Sequence, residues 1–295
     1  MSLITSTVRD SPTKPEIRAL TLKVLGGYVA LVTLLNAWRL VSGSGSTALL
    51  VAQVVVLAAT FASLRAPGGF WGGIGDWLPL IVLPLLYWEL PWATFGGSGR
   101  LFDPMVQRWD LAIFGSEPAR TLAGALPSRS LSEVLHLAYL LYYVIIYLPP
   151  AVLYVSGAER REGKRPFYAM MFALTVTVVI SFAAFSVFPV EGPRFAWGAP
   201  PGVPSGPIRM LTLLVLEHGS ARGTAFPSSH VAIALAQALS SLRWRRSFGI
   251  WVAITTVLLA VGAVYGGFHY ASDVLAGTAV GLVTWSIATR IAEQA

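Results

Sequence analysis

Apolar runs of bilayer-spanning length alternate along the chain with short polar breaks and with segments rich in glycine and proline. A helix needs about 20 apolar residues to cross hydrocarbon, within a range of roughly 17–25. On that measure the pattern predicts spans over residues 20–40, 47–64, 78–95, 134–156, 167–188, 228–243, 247–265 and 273–291. The third carries Pro79, Pro84, Pro91 and Glu89, so a kink or a place inside the bundle is expected for it. The sixth is short and rich in small residues, which suits a helix surrounded by other helices better than one facing lipid. The expectation is an all-α, polytopic membrane bundle of about eight spans, or six if two of the runs do not cross. Residues 1–19 are expected to form a polar N-terminal segment and 20–295 a single membrane domain.

Composition strengthens the membrane reading. Only 12% of the 295 residues are charged, 55% are apolar, and the mean hydropathy is +0.66. Soluble chains carry about 25% charged residues, so neither a free-standing soluble domain nor a disordered chain fits. The polar N-terminus shows no cleavable-signal pattern, and the first apolar run is expected to stay as a span. The absence of cysteine removes disulfides, thiol nucleophiles and cysteine-ligated zinc.

The net charge of +7 is not read as a nucleic-acid signal, because no basic domain carries it. The positive charge concentrates in two hinges, 159–166 and 243–246. By the positive-inside rule these hinges and both termini are cytoplasmic. The long segments 96–133 and 189–227 then face outward, the former with an amphipathic helix at the interface. The plasma (inner) membrane is the expected location, with the chemistry on its extracytoplasmic side.

Three motifs fall on that outer side: VEGPR at 190–194, FPSSH at 226–230 and FHYASD at 268–273. Pro227 is placed to open the sixth span, since a proline N–H is not missed in a first helical turn. Ser228, Ser229 and His230 would then present free N–H groups and the positive end of a helix dipole to an anion, above all a phosphate. His230 stands where it can pass a proton to a leaving oxygen. His269 and Asp273 are four apart and share a helical face, and a carboxylate on one ring nitrogen frees the other as base or nucleophile. Arg194 is a bidentate partner for phosphate, with Arg209 and Arg222 as further basic candidates in the same loop.

FPSSH followed by HYASDV resembles the second and third signature motifs of the type 2 phosphatidic acid phosphatase superfamily, nearest to its inositol phosphorylceramide synthase-like branch. The resemblance covers residues 188–281 and implies a catalytic core over 167–291, the last four spans. It implies a lipid phosphatase or phosphotransferase in which His269 becomes a phosphohistidine, Asp273 orients it and His230 is general acid and then base. Ser228 would hold phosphate oxygens. No metal or other cofactor is implied; the partners are a membrane lipid substrate and, for transfer, a lipid alcohol acceptor. The chain departs from the pattern in three places. Ser229 stands where glycine is usual, Gly262 and Ala263 replace a Ser-Arg pair, and the lysine of the first motif is missing. Lys164–Pro166 imitates that first motif but lies on the inner side.

Other readings remain beside this one. A lipid or anion transporter could use the same charged cluster to bind a headgroup, and two histidines with an aspartate could ligate zinc, although no third close ligand is visible. His136 reads as structural and His218 as solvated. Asp103, Arg108 and Asp110 read as a headgroup pocket or a solvated or interfacial helix face. The loop bearing Trp197 is placed to cover the site, and the pairs Gly262, Gly266 and Gly277, Gly281 read as helix-packing stripes.

Overall fold

In hydrocarbon every backbone polar group must be paired within the chain, which leaves the apolar runs little choice but to be helical. The computed structural model describes residues 14–66, 68–93, 101–157 and 163–294, and its described elements are all helices. Most of the N-terminal segment, together with Glu159, Arg160, Arg161 and Glu162 of the first basic hinge, lies outside the described residues.

Six of the helices are long and apolar enough to cross a membrane: α1 (Lys14–Val41), α2 (Thr47–Arg65), α3 (Gly69–Trp88), α9 (Arg165–Val187), α13 (Arg246–Tyr265) and α14 (Ala271–Gln294). A seventh is made by α7 (Arg129–Leu140) and α8 (Tyr142–Gly157), bent by 48° where they meet at Leu141. The eighth expected span is α12 (Ser229–Trp244), which at 16 residues is below the usual crossing length but leads from the end that holds Ser228 and Asp273 to the end that holds the Arg243–Glu293 pair. It lies among α8, α9, α13 and α14, with Ala232, Ile233, Ala234 and Ala236 buried. The third span starts nine residues before its expected place. Pro79 and Pro84 sit inside α3 without ending it, because neighbouring helices compensate for interior proline in a membrane.

Short helices complete one end of the bundle: α4 (Leu90–Ala93), α5 (Asp103–Phe114), α6 (Pro118–Ala125), α10 (Pro193–Ala196) and α11 (Pro207–Gly219). α5 is the expected amphipathic helix. It exposes Leu111, Ile113 and Phe114 and buries Asp103, Val106 and Asp110 along one face. At the same end an isolated bridge pairs Val190 with Thr224, so that the loops entering and leaving residues 191–223 are tied together. The opposite end carries the ion pairs Arg18–Asp76 (2.7 Å), Lys164–Asp76 (3.4 Å) and Arg243–Glu293.

The glycine stripes act as packing surfaces. α14 presses so closely on α12 that a Cβ at Gly281 would stand 2.6 Å from the Ala232 carbonyl oxygen. A methyl group there must push the helices apart. Gly281→Ala is expected to lower stability by about 1–3 kcal/mol, the usual cost of overpacking. Thermal unfolding of the purified protein in detergent reads this loss; an unchanged midpoint would show that α12 and α14 do not meet as described.

Candidate active site

The residues around His269 are set by backbone hydrogen bonds at the junction of α13 and α14. Gly267 takes a left-handed φ of +71°, and the N–H groups of Phe268 and His269 both donate to the Ala263 carbonyl at 2.9 and 3.0 Å. His269 therefore sits in the turn ahead of α14, not within it, while Asp273 occupies the first helical turn. The pair still meets: His269 Nδ1 lies 3.3 Å from Asp273 Oδ2, and both residues are buried. The same Oδ2 accepts the Tyr270 N–H at 2.8 Å, whereas Oδ1 is buried without a partner. With Nδ1 engaged, Nε2 is the free nitrogen of His269.

Two carboxylates on α5 hold this junction. Asp110 accepts the first N–H groups of α14, from Ala271 at 3.0 Å and Ser272 at 2.7 Å, and also the Ser272 hydroxyl at 2.5 Å. Asp103 accepts the N–H groups of Glu191 (3.0 Å) and Gly192 (2.9 Å) and the Tyr270 hydroxyl (3.0 Å). It thereby joins the VEGPR turn to the FHYASD turn. Neither expectation for these residues holds, since they are buried and bound to backbone instead of facing a headgroup or solvent. Gly192, at φ +93°, runs so near Phe268 that a Cβ would come within 2.9 Å of its carbonyl oxygen.

The start of α12 differs from expectation. Pro227 lies ahead of the helix, after a cis Phe226–Pro227 bond, and Ser228 is the N-cap. The Ser228 hydroxyl accepts the Val231 N–H at 3.5 Å, its own N–H donates to the Asp273 carbonyl at 3.0 Å, and the residue is fully buried. Its backbone N–H is spent on fastening α12 to α14, and its hydroxyl oxygen on capping α12. The N–H groups of Ser229 and His230, at the first two helical positions, have no intrahelical acceptor.

A cavity of about 470 Å³ opens beside these elements. Its polar wall includes Glu191, Arg194, Ser229, His230 and His269; its apolar wall includes Leu83, Pro84, Trp88, Ile146, Phe182 and Ile233. The His230 and His269 rings are 5.7 Å apart, centroid to centroid. Arg194 packs over the Phe195 ring and donates to the Ser220 hydroxyl and, at 3.4 Å, to the Leu216 carbonyl. Burial lowers its pKa from the ordinary guanidinium value. Arg222 is turned outward against Glu191 (2.8 Å), and this pairing raises its pKa. Arg209 donates to Ser205 at 3.1 Å on the α7 side. The structure thus gathers His269, Asp273, His230, Ser229 and Arg194 and leaves Ser228, Arg209 and Arg222 off the cavity wall. Trp197 packs edge-on against Tyr270 under Arg120 and is not part of the cavity wall.

A model of the PAP2 superfamily matches residues 109–287, from α5 into α14. A "PA-phosphatase related-family protein" of Dictyostelium discoideum is 24% identical over 316 aligned residues, covering 93% of this chain and 56% of that protein. The chain thus spans about half the length of that relative. No solved structure matches.

Proposed function

This chain belongs to the PAP2 superfamily, and from that premise we propose that it transfers the phosphoryl group of a membrane lipid through a phosphohistidine at His269. The observation that carries the proposal is the pairing, on one cavity wall, of a carboxylate-bound histidine with a second histidine whose ring centre is 5.7 Å away. His269 Nε2 attacks phosphorus while His230 protonates the departing oxygen. Arg194 and the N–H groups opening α12 face the phosphoryl oxygens, where charge concentrates in the transition state. Water or an alcohol then takes the group from His269, giving its proton to His230.

The apolar wall supports a lipid substrate. α3 and α8 each pack on α9, and the cavity runs between them. Trp88 and Tyr147 line it and are 57% and 43% exposed, facing outward where acyl chains would lie. Purified protein given a panel of phosphorylated lipids, with and without lipid alcohols, should release phosphate or form new phospholipid. Folded protein that turns over no member of the panel would overturn the proposal.

We further propose that the cavity faces the extracytoplasmic side of the plasma membrane and the termini the cytoplasm. The ion-paired end of the bundle holds the described residues of the basic hinges, as the positive-inside rule requires of a cytoplasmic end. The chain has no native cysteine, so Ser205→Cys should react with an impermeant maleimide on intact cells and Ser247→Cys only after lysis. The reverse pattern would invert the topology.

A further inference from the structure

We infer that Tyr87, near the C-terminal end of α3, is a further phosphate-binding residue whose hydroxyl donates to a non-bridging phosphoryl oxygen. The inference rests on the phosphoryl transfer proposed at His269. Tyr87 lies ahead of the segment that matches the PAP2 superfamily, residues 109–287, and so comes to the site from outside it. Among the described residues the cavity wall carries one guanidinium, Arg194, and no lysine. Much of a bound phosphoryl group is therefore left to neutral donors.

The turn that ends α11 sets Tyr87 and Arg194 side by side. The Ser220 hydroxyl accepts from the Arg194 guanidinium, and the next residue, Ala221, donates its N–H to the Tyr87 hydroxyl at 3.0 Å. Both side chains line the cavity, and the Tyr87 hydroxyl is near enough to act on the Arg194 charge. Phe182 of α9 braces the Tyr87 ring, with centroids 6.1 Å apart. Tyr139 links this pair to the histidines. With Tyr142 it packs on the His230 ring, and its hydroxyl stands 3.5 Å from His230 Nε2. The same residue is within electrostatic reach of both Tyr87 and Arg194.

A phenol oxygen that accepts one N–H still has its own hydrogen to give. Among the described residues no atom accepts that hydrogen from Tyr87. Two other hydroxyls of this wall are already spent, Ser220 on the Leu216 carbonyl at 2.6 Å and Thr224 on the Ala221 carbonyl at 2.8 Å. Tyr142, Tyr143 and Tyr147 line the cavity from α8, but no described bond ties them to the turn that holds Arg194. Donation by Tyr87 moves no proton. The bond tightens as negative charge collects on the non-bridging oxygens in the transition state, and a neutral donor adds it without adding charge.

The test uses Tyr87→Phe, which keeps the ring on Phe182 and removes the hydroxyl. It follows kcat/KM on a lipid phosphodiester and on the two diastereomers of its phosphorothioate. Sulfur accepts hydrogen bonds poorly, so the diastereomer with sulfur facing Tyr87 has already lost the contact. The variant should slow the all-oxygen donor and the other diastereomer about tenfold, the worth of one hydrogen bond, and the sulfur-facing one hardly at all. Equal losses on both diastereomers would reduce the hydroxyl to a brace for Ala221 and overturn the inference. A second arm needs no turnover. Binding of inorganic phosphate alone, read by calorimetry, should weaken severalfold in Tyr87→Phe, and by the same factor when Arg194→Lys is also present. An unchanged affinity, or a loss that vanishes in the Arg194→Lys background, would overturn the inference as well. A wild type that turns over no donor, yet binds phosphate through Tyr87, would instead remove the transfer reading and leave this contact standing. A wild type that does neither would overturn both.

Discussion

His269→Ala is expected to bring turnover down to background and to eliminate the acid-labile phosphoenzyme that rapid quenching with labelled donor should trap in the wild type. No other side chain on the cavity wall can take its place, because His230 lacks a carboxylate and lies under two tyrosine rings. Asp273 should show a graded effect. A single oxygen, Oδ2, accepts from both His269 Nδ1 and the Tyr270 N–H, and Oδ1 has no partner. In Asp273→Asn the amide oxygen can keep both bonds, so the ring stays oriented and only the charge is lost. Asp273→Ala loses the charge and the orientation together. The alanine variant should lose about 10³–10⁴ in kcat and the asparagine variant distinctly less, within the range usual for positioned acid–base groups. A trapped phosphoenzyme in His269→Ala, or an asparagine variant as damaged as the alanine one, would sink this account of the pair.

The spans were legible because the bilayer imposes one period and one length on every run that crosses it. The run 228–243 shows where this stops: its small residues correctly place α12 inside the bundle, but its 16 residues are shorter than the usual crossing length although it leads from the Ser228 end to the Arg243 end. The His269–Asp273 contact was legible for a partly wrong reason. A spacing of four puts two residues on one helical face, yet here the histidine precedes the helix, and the contact survives because Asp273 bends back to cap the turn. The basic candidates were less legible. Nothing local distinguishes Arg194 from Arg209 and Arg222, and their fates were decided by Ser205 beside one and by Glu191, 31 residues away, beside the other. Asp103 and Asp110 show the same limit. Their i, i+7 spacing marks one face of α5, but the N–H groups they hold lie 88 to 162 residues further along the chain. The tyrosines at 139 and 142 stood in an apolar run and carried no mark of what they would enclose.

The charge in the cavity leads to the second large effect. Among the described residues Arg194 is the one guanidinium on the cavity wall, and Glu191 stands on the same wall with Arg222 drawn outward against it. Arg194→Ala is expected to cost about 10²–10³ in kcat/KM, as loss of one preorganised donor to a developing anion does. Arg194→Lys should recover only part, since an ammonium cannot make the paired contact of a guanidinium. A phosphate monoester carries about −1.5 to −2 charges at neutral pH, whereas a phosphodiester carries one. One fixed guanidinium, on a wall whose carboxylate already holds Arg222 outward, matches the second better than the first. The expected donor is therefore a phosphodiester lipid, with transfer of its phosphoryl headgroup to a lipid alcohol competing with hydrolysis, as in the inositol phosphorylceramide synthase-like reading of the motifs. Glu191→Gln makes this testable in one protein. It removes the carboxylate, leaves the backbone bond to Asp103 in place and frees Arg222 to turn inward. Monoester turnover should then rise several-fold relative to diester turnover. A wild-type protein that prefers monoesters, with a ratio that Glu191→Gln does not move and a rate that no lipid alcohol changes, would refute the diester assignment while leaving the histidine chemistry intact.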